Sequence, residues 1–452
     1  MGQGVLKVDR PAGGAAAGGG APGVDPALLE DAGLERRGTT LCLGGVPLGA
    51  IADRVGTPTY VYHAEVIRQR YRELDRALEP LPHRICYAVK ANSNLAVLRV
   101  LRDLGAGADI VSGGELRRAL AAGFAPEQIV FSGVGKSDAE LEAAVAAGIG
   151  HIHLESAEEL SVLAAIARGA GRRMKVGIRV NPDVSAATHP YISTGQGGIK
   201  FGVPYDQVVD LAVRAARESA LELDTLAMHL GSQLLDPAPY REGVLRLLEL
   251  WRQLRAAGVE SITALDLGGG IGIRYRDETP LAPARLAEAV LPLLRSTGLT
   301  VTVEPGRYLV GSAGVLLTQV LSRKRSGGKD LVIVDAGMND LVRPSHYGAY
   351  HAIVEVELQG RAPGLVDVVG PVCETGDFLA LDRVLPGLAR GDRLAVLGAG
   401  AYGFVMSSTY NTRPRPAEVL VDRGRFAVVR PRIRDEEIFQ DETVEPQWDR
   451  CP

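Results

Sequence analysis

The sequence predicts a TIM-type (β/α)8 barrel, an α/β fold, followed by a C-terminal all-β domain of β-sandwich or β-barrel type. Two observations carry this expectation. From about residue 85 to residue 311, eight short β-type runs alternate with amphipathic helices and Gly-containing turns. After Gly311 the helical period stops, and short apolar runs follow one another between Gly, Pro and Asp turns. Eight strands with helices between them is the count of a closed barrel. The competing arrangement is an open doubly wound sheet.

Taken in order, residues 1–27 form a Gly/Ala-rich stretch that lacks the apolar content to fold alone and is expected to be disordered. Residues 28–56 are expected to pack with the β domain, residues 57–311 to form the barrel, and residues 312–452 the β domain. "TPTYVYHAE" reads as a further strand leading into the helix "EVIRQRYRELDRAL". The barrel strands are read in "RICYAVK", "GADIVS", "QIVFSG", "HIHLES", "MKVGIRV", "LDTLAMHL", "ALDLGGG" and "LTVTVEPG". Between them, segments such as "AEELSVLAAIARGAG" and "YREGVLRLLELWRQLRAAG" carry helical spacing. The β domain is read in "VLLTQVLSR", "DLVIVDAG", "HAIVEVEL", "LVDVVGP", "DRLAVLG" and "AEVLVDRGRFAVVRP".

Composition narrows the class of function. Fifty basic residues against 54 acidic ones give a net charge of −4, which offers no electrostatic case for a nucleic-acid or anionic-membrane partner. No window of about 18 apolar residues exists to span a bilayer, and the N-terminus lacks the apolar core of a secretion signal. The four cysteines (Cys42, Cys86, Cys373, Cys451) have neither close pairing nor metal-ligand spacing. The expectation is a cytoplasmic protein with no disulfide framework and no metal.

In such a barrel, functional groups come from the C-terminal ends of the strands. Strand one ends in Lys90 and strand two carries Asp109. Strand six ends in His229, followed by Gly231 and Ser232, and strand seven runs into Gly268, Gly269 and Gly270. Strand eight ends in Glu304, then Pro305, Gly306 and Arg307. Singly, each has a plain structural reading as a rim lysine, a satisfied histidine, an ion-pair partner or a tight turn. Together they are an amine, an imidazole, a carboxylate, a guanidinium and a glycine run at one mouth. Lys90 is one of only seven lysines in an arginine-rich chain. Burial is expected to depress its pKa and make it a nucleophile toward an aldehyde. Glycines after strand seven admit an anion to the backbone. An aldehyde with a phosphate, and an acid such as Glu304 at its ring nitrogen, describes pyridoxal 5'-phosphate.

Two further stretches need a reading. "GAGAYG" (Gly398 to Gly403) matches a dinucleotide fingerprint, but "FVMSSTYNTRPRP" after it has no helical period, so that reading fails. "NPDVSAATHPYISTGQGGIKFG", after strand five, is long for a βα connection and is read as a cover over the mouth.

"YAVKANSN", "HLGSQ", "LDLGGG", "EPGR", "MNDLVRPSHYGAY", "GPVCETGDFLA" and "GAYGFVMSSTYNTRPRPAEVL" resemble, in the right order, the pyridoxal-phosphate-dependent diaminopimelate decarboxylases, which share an alanine-racemase-like barrel. The likeness runs from about residue 40 to 440. It implies decarboxylation of meso-2,6-diaminopimelate at its D-configured end to L-lysine, the last step of lysine biosynthesis. It also implies that Lys90 holds the cofactor covalently, with Asp109 at the cofactor site. His229 would stack on the ring, and Glu304 would pair with the ring nitrogen. Ser232, Gly269, Gly270, and the backbone of Glu304, Pro305, Gly306 and Arg307 would cradle the phosphate, with Tyr402 reaching both phosphate and substrate. Arg307, Arg343 and Tyr347 would take the remote carboxylate and Glu374 the remote ammonium. Cys373 would return a proton to Cα. In this family Cys373 and Glu374 come from the second chain of a homodimer, so each mouth would need two chains. A cysteine thiol is ordinarily protonated at neutral pH and can serve as such an acid. Ser345-His346, before Tyr347, replaces a more apolar pair. The alternatives are a related decarboxylase with another amino-acid substrate, or a non-catalytic cofactor-binding homologue.

Overall fold

The computed structural model describes residues 24–184 and 200–449. Residues 1–23 of the tail expected at 1–27, and most of the cover expected between 181 and 202, lie outside these. A helix, Pro26–Ala32, begins inside the stretch read as the end of the tail, capped by the Asp25 carboxylate.

Eight parallel strands close into a barrel. They are β1 (His83–Ala88), β2 (Gly107–Ile110), β3 (Ile129–Phe131), β4 (His151–Leu154), β5 (Met174–Asn181), β6 (Leu221–Met228), β7 (Ala264–Asp266) and β8 (Thr300–Val303). Each pairs with the next, and β8 closes on β1 with Val301 opposite His83 and Val303 opposite Ile85. An open sheet would leave β1 and β8 as edges, so this pairing excludes it. Ile85, Ile110, Ile129, Ile152, Val176, Leu226, Leu265 and Val301 are all buried. Such both-face burial is why the strands read as continuous apolar runs.

The loops after the strands carry helix caps, which fixes where each strand stops. The Ser112 hydroxyl accepts from Glu115 N at 3.2 Å and the Ser156 hydroxyl from Glu159 N at 3.1 Å. Ser137 and Glu140 form a reciprocal capping box. Each strand therefore ends abruptly at the same face of the barrel.

The second sheet has nine strands built around Gly314–Ser326, which is long enough to pair with different partners along its length. Its first half pairs with Thr59–His63 and Arg393–Val396, its second with Lys329–Val334. Thr59–His63 thus belongs to this sheet, although the boundary expected at residue 57 gave it to the barrel. It also pairs with Ala417–Asp422, so the chain enters the barrel only with the helix Ala64–Leu78. Phe378–Pro386 is a strand absent from the runs expected in the β domain; it pairs with Pro363–Val369. Residues 34–47 form a three-stranded antiparallel sheet. Its Leu41 and Leu43, with Ile51 from the following helix, share a core with Val315, Leu317, Val354 and Val419.

Candidate active site

The C-terminal ends of the barrel strands meet loops of the β domain around a cavity of about 390 Å³ lined by Lys90, His229, Ser232, Arg307, Arg343, Tyr347 and Tyr402, with Phe201, Tyr275 and Tyr350 among the others. Lys90 is the middle residue of the single 3-10 turn, Val89–Ala91, that follows β1, and Tyr402 N donates to Ala91 O at 2.8 Å. That bond ties the β domain to the lysine's own backbone. Tyr402 adopts φ +55°, an uncommon conformation for a non-glycine residue, and its ring lies 5.0 Å from the Arg307 guanidinium carbon.

Lys90 Nζ donates to Asp109 Oδ2 at 3.1 Å, and the lysine side chain keeps 35 % of its surface exposed toward the mouth. The expected depression of its pKa does not occur. Burial pulls the amine down, but Asp109, followed by Tyr402 and Glu304, outweighs it and raises the amine above its ordinary value. The bare chain holds Lys90 as an ammonium. Desolvation alone would depress the amine, but strand pairing brings a carboxylate alongside, with Asp109 opposite Ala88.

Glu304 is buried, with Ser132 Oγ donating to it at 3.4 Å and His153 Nδ1 lying 3.9 Å away. His153, Asp266 and Glu304 offer side-chain atoms all within 4.8 Å of one another. Burial, then the Asp109 and Asp266 carboxylates, pushes Glu304 well above the usual carboxyl range. Burial pushes Asp266 up to about 7. Carboxyl groups this crowded share protons rather than all ionise. His229 is held by Gly269 N, which donates to its Nδ1 at 3.2 Å. Burial, then Arg179 and Lys90, keeps this imidazole neutral.

Gly268 and Gly270 take φ +68° and +109°. A Cβ on Gly269 would overlap the Glu304 carbonyl oxygen, and one on Gly270 the Gly231 carbonyl oxygen. These glycines keep the loops after β6, β7 and β8 in mutual contact. An aldehyde-bearing phosphate ester fits these residues. There is an amine, a side-chain-free backbone cradle, a buried carboxyl, and on Asp109 a buried oxygen Oδ1 that lacks a hydrogen-bond partner.

Among the residues missed in the sequence are Tyr275, in the cavity wall, and His351, behind it. Tyr275 accepts from Arg307 Nη1 at 2.6 Å, while Arg307 Nη2 donates to Ser232 Oγ at 3.0 Å. His351, behind Arg343, accepts at Nε2 from Arg343 Nε at 3.3 Å. Tyr275 follows the glycine run closely enough to have been a candidate; His351 was legible only as a histidine at the start of an apolar run. His153 had a clearer signal, since His151 and His153 at a spacing of two lie on one face of a strand.

Cys373 and Glu374 do not line this cavity. Both are exposed, on a turn held by Asp377, whose carboxylate accepts from Met338 N and Val372 N at 2.6 Å each. Cys373 N donates to Asn411 Oδ1 at 2.7 Å. "GAGAYG" leads into a single 3-10 turn, Phe404–Met406, and no helix, as the rejection of the dinucleotide reading requires. No helix among the described residues is long and apolar enough to cross a membrane.

Comparison with known proteins gives a consistent result. Residues 64–311 match the family described as "Pyridoxal-dependent decarboxylase, pyridoxal binding domain". The chain is 50 % identical over 411 residues to the diaminopimelate decarboxylase of Pseudomonas aeruginosa, covering 91 % of this chain and 99 % of that protein. It is 48 % identical over 418 residues to that of Aquifex aeolicus, covering 92 % and 97 %. Among solved structures, the Helicobacter pylori diaminopimelate decarboxylase complexed with L-lysine superposes with a TM-score of 0.84 at 40 % identity, over 87 % of this chain and 99 % of that one.

Proposed function

Because this chain belongs to the diaminopimelate decarboxylases, we propose that the mouth of its barrel is the site where meso-2,6-diaminopimelate loses carbon dioxide to give L-lysine. The enzyme is a pyridoxal-phosphate-dependent carboxy-lyase of lysine biosynthesis. The observation that carries the substrate assignment is a pair of buried guanidiniums, Arg307 and Arg343, facing the same cavity as Lys90. Neither has a carboxylate within 4 Å among the described residues. Buried cations without counter-ions call for an anionic ligand. An amino acid ending in a bare ammonium would leave them unmatched. A second carboxylate satisfies them.

Bound pyridoxal phosphate supplies an electron sink for the pair left on Cα when carbon dioxide departs. In this reading Lys90 Nζ would hold the cofactor covalently through its aldehyde carbon. Asp109 steadies the free Lys90 ammonium. Glu304 would pair with the ring nitrogen and His229 would stack on the ring. Ser232, Gly269, Gly270, and the backbone of Glu304, Pro305, Gly306 and Arg307 hold the phosphate together with Tyr402. Arg307, Arg343 and Tyr347 orient the remote carboxylate, leaving the D-configured end over Lys90.

The acid and the remote-ammonium partner come, in this reading, from a second copy of the chain. Cys373 of the partner subunit would deliver its Sγ proton to Cα, and Glu374 of the partner subunit would take the remote ammonium. The enzyme would then be a cytoplasmic homodimer with shared sites. Support comes from the exposure of both residues on a turn that Asp377 holds in one shape.

Carbon dioxide release from meso-diaminopimelate, lysine, ornithine and arginine tests the assignment. Release is expected from diaminopimelate alone. Comparable release from ornithine or lysine, with none from diaminopimelate, would overturn it.

A further inference from the structure

Arg307 and Arg343 are 6 % exposed each, and their fixed geometry needs a cause. Like charges repel, and Arg307 is among the influences that lower the pKa of Arg343, after burial. Arg343 enters the cavity from the short helix Arg343–Tyr347 of the β domain, Arg307 from the turn after β8. Behind them lies a buried array of neutral side chains. His351 is 0 % exposed. Its Nδ1 donates to the Leu397 carbonyl at 2.8 Å, which leaves Nε2 as the acceptor for Arg343 Nε. Tyr275 meets the His351 ring edge-on at 5.3 Å between centroids and 78° between planes. Its hydroxyl accepts from Arg307, and the Arg343 guanidinium carbon lies 5.1 Å from its ring. Gly398 makes room for this ring, because a Cβ there would come within 3.2 Å of Tyr275 Cδ1 and Cε1. The glycine run that mimics a dinucleotide fingerprint thus serves the arginine pair.

We propose that Tyr275 and His351 are positioning residues that pre-assemble Arg307 and Arg343 into one two-guanidinium clamp, and thereby set the preference for substrates carrying a carboxylate remote from the reacting carbon. The proposal rests on the functional reading above for the identity of the substrate, though not for the existence of the clamp. Burial, then the charge on Arg343, keeps His351 neutral, with its pKa lowered to about 3. The acceptor offered to Arg343 is therefore present at every working pH. Each guanidinium is tied down on one side by a tyrosine hydroxyl or a histidine nitrogen rather than by a carboxylate of the chain, which leaves its charge for the carboxylate of the substrate.

The test uses holoenzyme carrying Tyr275→Phe, His351→Leu or His351→Asn, with cofactor content checked by absorbance. Steady-state kinetics with meso-diaminopimelate are combined with calorimetric binding of pimelate, the seven-carbon dicarboxylate without amino groups. Tyr275→Phe and His351→Leu should each raise KM roughly 10- to 100-fold, the size of one hydrogen bond to a charged group, with kcat within about threefold and pimelate binding weakened in parallel. Asn keeps a donor for the Leu397 carbonyl, but its amide oxygen falls short of the Nε2 position that faces Arg343, so His351→Asn should raise KM as His351→Leu does. A loss confined to kcat, or unchanged KM and pimelate affinity in Tyr275→Phe and His351→Leu, would overturn the proposal. If His351→Leu does not fold, Tyr275→Phe decides alone. Absence of turnover with diaminopimelate in the wild type would strike the functional reading, and pimelate binding would still judge the clamp. A wild type that binds no pimelate would overturn the clamp itself.

Discussion

Lys90 Nζ lies 3.1 Å from Asp109 Oδ2, and the other oxygen of that buried carboxylate, Oδ1, has no hydrogen-bond partner. The pair is asymmetric: the amine retains access to the cavity, while the acid is 0 % exposed. Asp109 therefore acts on the amine without competing for the ligand. Removing one partner of such a pair leaves the other charge uncompensated.

Asp109→Asn should lower the pH at which Lys90 becomes a free amine. An opposite charge at this distance shifts a pKa by about 1–3 units. Covalent attachment of the cofactor, followed by its absorbance across a pH series, should then set in at least about one pH unit lower than in wild type. An unchanged onset would show that Tyr402 and Glu304, the weaker influences on the amine, suffice without Asp109.

Subunit mixing separates a shared site from a self-contained one. Lys90→Ala should abolish turnover and covalent cofactor attachment, and Cys373→Ala should keep the cofactor while turning over slowly. If sites are completed by a second chain, random dimers from an equal mixture recover one intact site in half of the molecules. Activity should then return to roughly a quarter of the wild-type value. Mixtures no more active than the mean of the two variants would place Cys373 with its own chain.

Acid stability follows from the buried imidazoles. His351 is lowered to about 3 by burial, then by Arg343, and His153 is lowered well below 6.5 by burial. Both are neutral in the folded chain, whereas an unfolded histidine takes up a proton below about pH 6.5. Their contribution to stability is therefore complete above about 6.5 and erodes as the pH falls toward the folded value. The slope is about 1.4 kcal/mol per pH unit for each group. Chemical denaturation should show wild type losing about 2 kcal/mol more than His351→Asn between pH 6.5 and 5. Equal losses would mean that His351 is already charged in the folded state.

Much of the fold was legible because its signals are local. The eight barrel strands were visible as apolar runs, most of them closed by a Gly turn or a Ser cap, and each is present at the expected place. Phe378–Pro386 was not legible, because "FLALDRVLP" follows the turn around Cys373 and carries charges within it. The strand is held by pairing with Pro363–Val369, distant enough that no local period announces it. Thr59–His63 reads as a strand from its own residues, yet nothing local says that its neighbours are Gly314–Ser326 and Ala417–Asp422.

By itself, the order of residues determined the periodicities, the caps and the chemical groups at the strand ends, since these depend on neighbours within a few positions. Tertiary structure alone decided the charge on Lys90, because that depends on a carboxylate from the adjacent strand at 3.1 Å. It likewise decided that Tyr275 and His351 stand behind the arginines, since their contacts join residues 32 and 8 apart in the chain. Electrostatic and hydrogen-bond energies follow distance in space and loss of water, and neither is written in the spacing of letters.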